Sequence, residues 1–208
     1  MMSSNILTVH PSNPQPRLLK QAVDTFRQGG VIAYPTDSAY ALGCQLGDKL
    51  ALERIRRLRN LTKQHNFTLV CQGLAELSRF AKVSNPVFRL LKHYTPGPYT
   101  FILSATASVP RQVLHPKRRT IGLRVPDHKV CQALLALLDE PILSSTLILP
   151  ETDQPLVDPE DIQQACGAEL DLIVAGGPCS LELTTVVNLV GHTPQVVRVG
   201  RGDPGPFQ

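Results

Sequence analysis

Nothing in this sequence has the spacing of a zinc site or of a disulfide framework. The five cysteines, Cys44, Cys71, Cys131, Cys166 and Cys179, are odd in number and far apart, with no C-x-x-C pair. They are expected to be buried thiols in a reducing compartment. The six histidines form no H-x-x-x-H pair, so no metal is inferred from the side chains alone. The absence of G-x-x-x-x-G-K-[ST] excludes a P-loop, and the absence of G-x-S-x-G argues against a serine hydrolase of the elbow type. Apolar runs fall short of the roughly 20 residues that cross a bilayer. The opening MMSSNILTVHPSNPQP lacks a basic region followed by an apolar one. A soluble, unexported, cytoplasmic protein with no membrane partner is expected.

Cations are scarce in only one part of the chain. Residues 131–208 hold two of the 21 Lys and Arg against eleven of the 17 Asp and Glu, a net −9; residues 1–130 hold 19 against six, a net +13. A strongly cationic section suits a polyanion, because clustered cations gain by displacing the counterions condensed on phosphates. The alternative is a solvated basic face with no partner.

A length of 208 residues, 42% of them hydrophobic, fits one domain with a substantial core. Nine short apolar runs read as strands: Ile6–Val9, Val31–Tyr34, Phe67–Val70, Thr100–Leu103, Thr120–Arg124, Ile142–Ser145, Leu172–Val174, Thr185–Leu189 and Val196–Val199. Amphipathic helices are predicted over Arg17–Gln28, Lys49–Leu61, Val87–Tyr94 and His128–Leu138. A further helix follows Asp158, whose carboxylate is an N-cap ahead of Pro159. Irregular alternation of this kind predicts one mixed α/β sheet rather than a doubly wound parallel one. The entry up to Pro16, the Pro150–Pro159 connection and the tail 200–208 combine Gly or Pro with polar residues and are expected to be mobile.

Five places could carry chemistry. The strand Gly30–Tyr34 breaks at Pro35 into Thr36, Asp37, Ser38 and Tyr40, which offer hydroxyls and free N–H groups to a small polar ligand or simply make a turn. A helix over Lys49–Leu61, if continued, would align Arg56, Arg59 and Lys63 as a phosphate clamp or as a solvated face. Lys117-Arg118-Arg119 is a second basic cluster open to the same two readings. His65 could be a base, but no carboxylate partner is visible; Ser144-Ser145-Thr146 ends an apolar strand and could meet a ligand.

In order along the chain, these segments resemble the YrdC/YciO family, which includes L-threonylcarbamoyladenylate synthases. The matching pieces are Gly29–Gly43 with its Pro-Thr-Asp-Ser-Ala-Tyr-Ala-Leu-Gly, Thr95-Pro96-Gly97-Pro98-Tyr99-Thr100, Arg124-Val125-Pro126-Asp127-His128, and Arg198-Val199-Gly200. The likeness spans roughly residues 5–205, and the wording at Pro-Thr-Asp-Ser, 65–69 and Ser144–Pro150 looks like the YciO branch. The resemblance implies a single-domain twisted open mixed sheet with a basic concave surface for double-stranded or folded RNA such as tRNA, and not for DNA.

It also implies a reaction in which ATP with Mg2+, L-threonine and bicarbonate give threonylcarbamoyl-AMP for the threonylcarbamoyladenosine of tRNA. Carried over by position, Thr36, Ser38 and Tyr40 would meet threonine, and Arg59, Thr100, Arg124 and Arg198 the nucleotide. Arg59 and Thr146 would be catalytic, and Arg56, Lys63, Lys117, Arg118 and Arg119 would meet RNA. Two positions depart from the family pattern: Leu61 stands for an arginine and Ile148 for an asparagine. The implied activity is therefore a weak synthase or a removal reaction, with a non-catalytic RNA-binding protein of ribosome or tRNA maturation as the alternative.

Overall fold

The computed structural model describes residues 5–62, 65–115, 117–191 and 193–208. The first strand, β1 (Ile6–Thr8), is followed by the helix α1 (Pro16–Arg27), β2 (Ile32–Tyr34), β3 (Ala41–Gln45), α2 (Lys49–Leu58), β4 (Thr68–Val70), α3 (Leu74–Phe80) and α4 (Asn85–Tyr94). Then come β5 (Tyr99–Ser104), β6 (Thr120–Arg124), α5 (Lys129–Leu138), β7 (Ile142–Thr146), α6 (Pro159–Cys166), β8 (Leu172–Ala175), β9 (Thr185–Asn188) and β10 (Gln195–Arg198). The ten strands form one mixed open sheet in the order β1-β8-β2-β3-β7-β4-β6-β5-β9-β10. No helix among the described residues is long and apolar enough to cross a membrane.

Local chemistry sets the helix ends. Pro16 occupies the first position of α1, whose stripe Leu19, Ala22, Val23 and Phe26 is buried, and Gly29 at φ +80° turns the chain away. Asp48 caps α2 by accepting from the Ala51 N–H at 2.9 Å. Asp158 caps α6 through the Glu160 N–H at 2.8 Å, as the sequence predicts.

Three sequence expectations change. The helix predicted to reach Leu61 stops at Leu58, with Arg59 as its cap and Asn60 left-handed at φ +50°. The face of Arg56, Arg59 and Lys63 is therefore not continuous, and Lys63 lies outside the described residues. A tenth strand, β3, fills the stretch expected to be loop, and α3 is additional. Segment 200–208, expected to be a flexible tail, ends in a short turn that buries Phe207 among Tyr94, Tyr99 and Phe101.

The two sheet faces are not covered equally. One carries α2, α3, α4 and α6, whose Ile55, Leu77, Leu91 and Ile162 join Leu42, Leu69, Phe101, Leu123, Leu143 and Val187 in the larger core. Only α1 and α5 cover the other, through Phe26, Val130 and Leu134 against Ile32, Tyr34, Ile142, Val70 and Val174. Strands β6, β5, β9 and β10 contribute nothing to that second core. Over them the second face stays open.

Candidate functional site

The open half of the sheet is the floor of a cavity of about 850 Å3. Its centre is one cross-strand row, paired in register from Ser144 to Thr68, Gly122, Ile102, Asn188 and Gln195. Side chains of a strand alternate between faces, so this row and the next, with Arg124, Thr100 and Val186, face the cavity together. Gly122 keeps the floor low: a Cβ there would stand 3.1 Å from Thr68 Oγ1 and 3.3 Å from Thr100 Cγ2.

Among the described residues the lining carries Arg59, Arg118, Arg124 and Arg198, with His65 and His115, and no carboxylate. No acid of the C-terminal section is in that lining: Glu160 and Asp161 lie on α6, for example, and Asp171 pairs with Arg54 at 2.7 Å.

Each arginine is held differently. Arg124 pairs with Asp37 in a buried ion pair, both side chains under a tenth exposed, and donates to Ser38 Oγ at 3.2 Å. Its Nε is buried with no hydrogen-bond partner. Arg198 donates from Nε and Nη2 to the Thr184 carbonyl at 3.2 and 2.9 Å. Burial, and secondarily the charge of Arg124, push its pKa down. Arg118 stands exposed in the turn before β6 with Lys117 and Arg119, the backbone N–H groups of 117 and 118 donating to His115 Nδ1 at 3.3 and 3.1 Å. This cluster forms a basic rim.

Arg59 belongs to a tight group at the end of β7. Strand β4 begins at Thr68 opposite Ser144, so Ser145 and Thr146 extend past it. There Arg59 donates from Nε to the Ile148 carbonyl at 2.9 Å and from Nη1 to Ser145 Oγ. His65 Nε2 lies 3.0 Å from the same oxygen. Burial pushes the Arg59 pKa down. Burial first, then the Arg59 and Arg56 guanidinium groups, push His65 down to about 4.

The structure brings together Arg59, Thr100, Arg124, Thr146, Arg198 and Arg118, which all line the cavity. It does not bring Thr36, Ser38 and Tyr40 to its lining. Thr36 Oγ1 donates to the Ala39 carbonyl at 2.7 Å and accepts from the Ser38 N–H at 3.1 Å, and Tyr40 donates to the Gly177 carbonyl at 2.8 Å. Thr36 and Ser38 build the turn that holds Asp37 against Arg124, and Tyr40 ties the next residues to the loop after β8. Arg56 is engaged inside the protein, paired with Glu53, donating to the Gln112 carbonyl and lying over the Phe67 ring. Lys117 and Arg119 are exposed on the rim. Leu61 packs against the larger core, and Ile148 lines the cavity. The His65–Ser145 contact was missed in the sequence because 80 residues separate the partners.

The low His65 pKa makes a stability prediction. An unfolded histidine titrates near 6.5, so between about pH 6.5 and 4 the unfolded chain binds more protons than the folded one. The contribution of neutral His65 is complete above that window and is lost as pH falls through it. From pH 7 to pH 4.5 the wild type should lose more stability in urea denaturation than His65→Gln, by on the order of 1–2 kcal/mol after screening. Parallel losses would detach His65 from the acid sensitivity.

Comparison with known proteins gives the following likenesses. The Sua5/YciO/YrdC family model, described as telomere recombination, matches residues 24–200. The YciO protein of Escherichia coli K12 is 52% identical over 204 residues, 98% of this chain and 99% of its own length. A threonylcarbamoyl-AMP synthase of Vibrio vulnificus YJ016 is 28% identical over 162 residues, 76% of this chain and 86% of its own. The crystal structure of E. coli YciO matches with a TM-score of 0.95 at 52% identity, covering 99% of this chain and 100% of that one.

Proposed function

Because the chain belongs to the Sua5/YciO/YrdC family, related to the threonylcarbamoyl-AMP synthases, we propose that its cavity takes a threonylcarbamoyl group joined to an adenine nucleotide, with structured RNA on the basic rim. The observation that carries this reading is a sheet-floored cavity with four arginines and no carboxylate in its described lining. Arg124 from β6 and Arg198 from β10 both line it, and Arg124 Nε has no partner of its own, which suits a phosphate. Ile102, Val186, Val190 and Val197 give it an apolar wall suited to a base. Lys117, Arg118 and Arg119 would meet RNA phosphates at the mouth, in a sequence-tolerant and salt-sensitive way.

ATP, L-threonine and bicarbonate are the substrates for the synthetic direction. The residues present do not fit a resident magnesium ion, because the cavity offers it no carboxylate and the described residues form no cluster of metal ligands. Magnesium would arrive on triphosphate oxygens.

Two residues favour removal over synthesis. Leu61 is packed into apolar surroundings, and Ile148 presents an alkyl group where the family resemblance calls for a carboxamide. A guanidinium and a carboxamide expected in a synthetic site are thus replaced, while Arg59, Arg124 and Arg198 remain in the lining. Purified protein should release threonine or threonylcarbamoyl products from tRNA carrying threonylcarbamoyladenosine, and form little threonylcarbamoyl-AMP from ATP, labelled threonine, bicarbonate and Mg2+. Its tRNA affinity should fall steeply between about 50 and 200 mM salt, as for six or more neutralised phosphates. Salt-sensitive binding with no turnover in either direction would leave the RNA-binding reading. No binding and no turnover would end both.

A further inference from the structure

The donor and acceptor pattern around Ser145 goes beyond holding a ligand. An arginine has no acceptor, so in its bond to Arg59 Nη1 the Ser145 oxygen accepts. The hydroxyl hydrogen needs a partner of its own, and His65 Nε2 stands 3.0 Å away. With Nε2 as the acceptor and the proton on Nδ1, both the oxygen and the hydrogen of the Ser145 hydroxyl are paired. The opposite tautomer leaves the serine hydrogen unused. The histidine is wedged in place, its ring edge-on to Phe67 at 5.1 Å, while Arg56 covers Phe67 from 5.5 Å. Arg59, His65 and Ser145 are all among the residues that line the cavity, where β7 runs past the start of β4.

We propose that Ser145 is a nucleophile and His65 its general base, acting on a carbamoyl carbon held in the cavity, an assignment that rests on the threonylcarbamoyl reading above. An unprotonated imidazole against the hydroxyl draws the proton away, and the Arg59 guanidinium, bonded to the same Oγ, stabilises the negative charge that develops on it as the proton leaves. The depressed basicity of His65 keeps it unprotonated at neutral pH, although it also makes it a weak base. On a carbamoyl adenylate, Ser145 Oγ adds to the carbonyl carbon while its proton passes to His65 Nε2. The bond from that carbon to the phosphate oxygen breaks, and AMP leaves as the phosphate anion, needing no proton. Water then adds to the carbamoyl-serine as His65, having lost its first proton to solvent, takes one from the water. That proton returns to Ser145 Oγ as the carbon–serine bond breaks, and the carbamic acid leaves. No electrons are gained or lost.

The test uses a fluorophosphonate, which reacts with activated serines and needs neither ATP, threonine nor tRNA. Wild-type protein should be labelled on Ser145, located by mass spectrometry of the peptide that contains it. Ser145→Ala should take up no label there. His65→Gln, checked for folding by its melting curve, should be labelled at least about a hundredfold more slowly, the lower bound expected for a lost general base. Wild-type protein left unlabelled at Ser145, or labelled at the same rate in His65→Gln, overturns the proposal, and the wild-type result stands even if a variant fails to fold. Protection by AMP separates the two readings: labelling that AMP does not slow leaves the nucleophile in place and removes the nucleotide from its site.

Discussion

Asp37→Ala is expected to lower the melting temperature by roughly 6–20 °C, corresponding to a loss of about 3–5 kcal/mol for an uncompensated buried charge. Both members of the Asp37–Arg124 pair are nearly excluded from solvent, and Asp37 also accepts the Asp127 N–H at 2.9 Å. Without the carboxylate, Arg124 would be left among like charges, because its other charged neighbour in the cavity is Arg198. The desolvation cost of the guanidinium is what makes the loss large. Adding Arg124→Met should therefore recover part of the stability lost in Asp37→Ala, since replacing both partners removes the unpaired charge. A melting temperature within about 2 °C of wild type for Asp37→Ala would show that water reaches the pair.

Arg59→Ala is expected to weaken AMP binding by about tenfold to a hundredfold, the loss of one charge-assisted contact of roughly 1.5–3 kcal/mol. Its melting temperature should also fall by a few degrees, because the Ile148 carbonyl and Ser145 Oγ lose their donor. Arg198→Ala is the contrasting case. Among the described residues it bonds only Thr184, and it sits near Arg124, so its removal should weaken AMP comparably with little change in melting. Calorimetry on both variants decides the matter; unchanged affinity in Arg59→Ala would place the phosphate away from the end of β7.

The pattern of apolar runs made the mixed sheet readable, because buried strands are short, continuous and bounded by turn residues. Strand β3 escaped because Ala41-Leu42-Gly43-Cys44-Gln45 contains no β-branched or aromatic residue. Its Gly43 is required by packing: a Cβ there would stand 2.6 Å from Ile142 and 2.8 Å from Tyr34. The hydroxyls of Thr36 and Tyr40 announced polar chemistry, but nothing in their order tells a turn that feeds on its own hydrogen bonds from one that feeds a ligand. The cationic section pointed to an anion. Which arginines would share a cavity depended on strand order, which sets Arg124 and Arg198 on the same open half of the sheet, and on where α2 ends, which sets Arg59 beside Ser145.

The floor row Ser144, Thr68, Gly122, Ile102, Asn188 and Gln195 has a consequence for how the molecule assembles. Only Asn188 and Gln195 are close along the chain, so the row has no local precursor and exists only once the long-range pairings have closed, which is the slow and entropically costly part of folding. A ligand that recognises the finished row stabilises the whole sheet by mass action rather than tightening one loop. Its signature in hydrogen exchange would be slower opening across all six strands at once, so that occupancy of the cavity sets the lifetime of the folded chain.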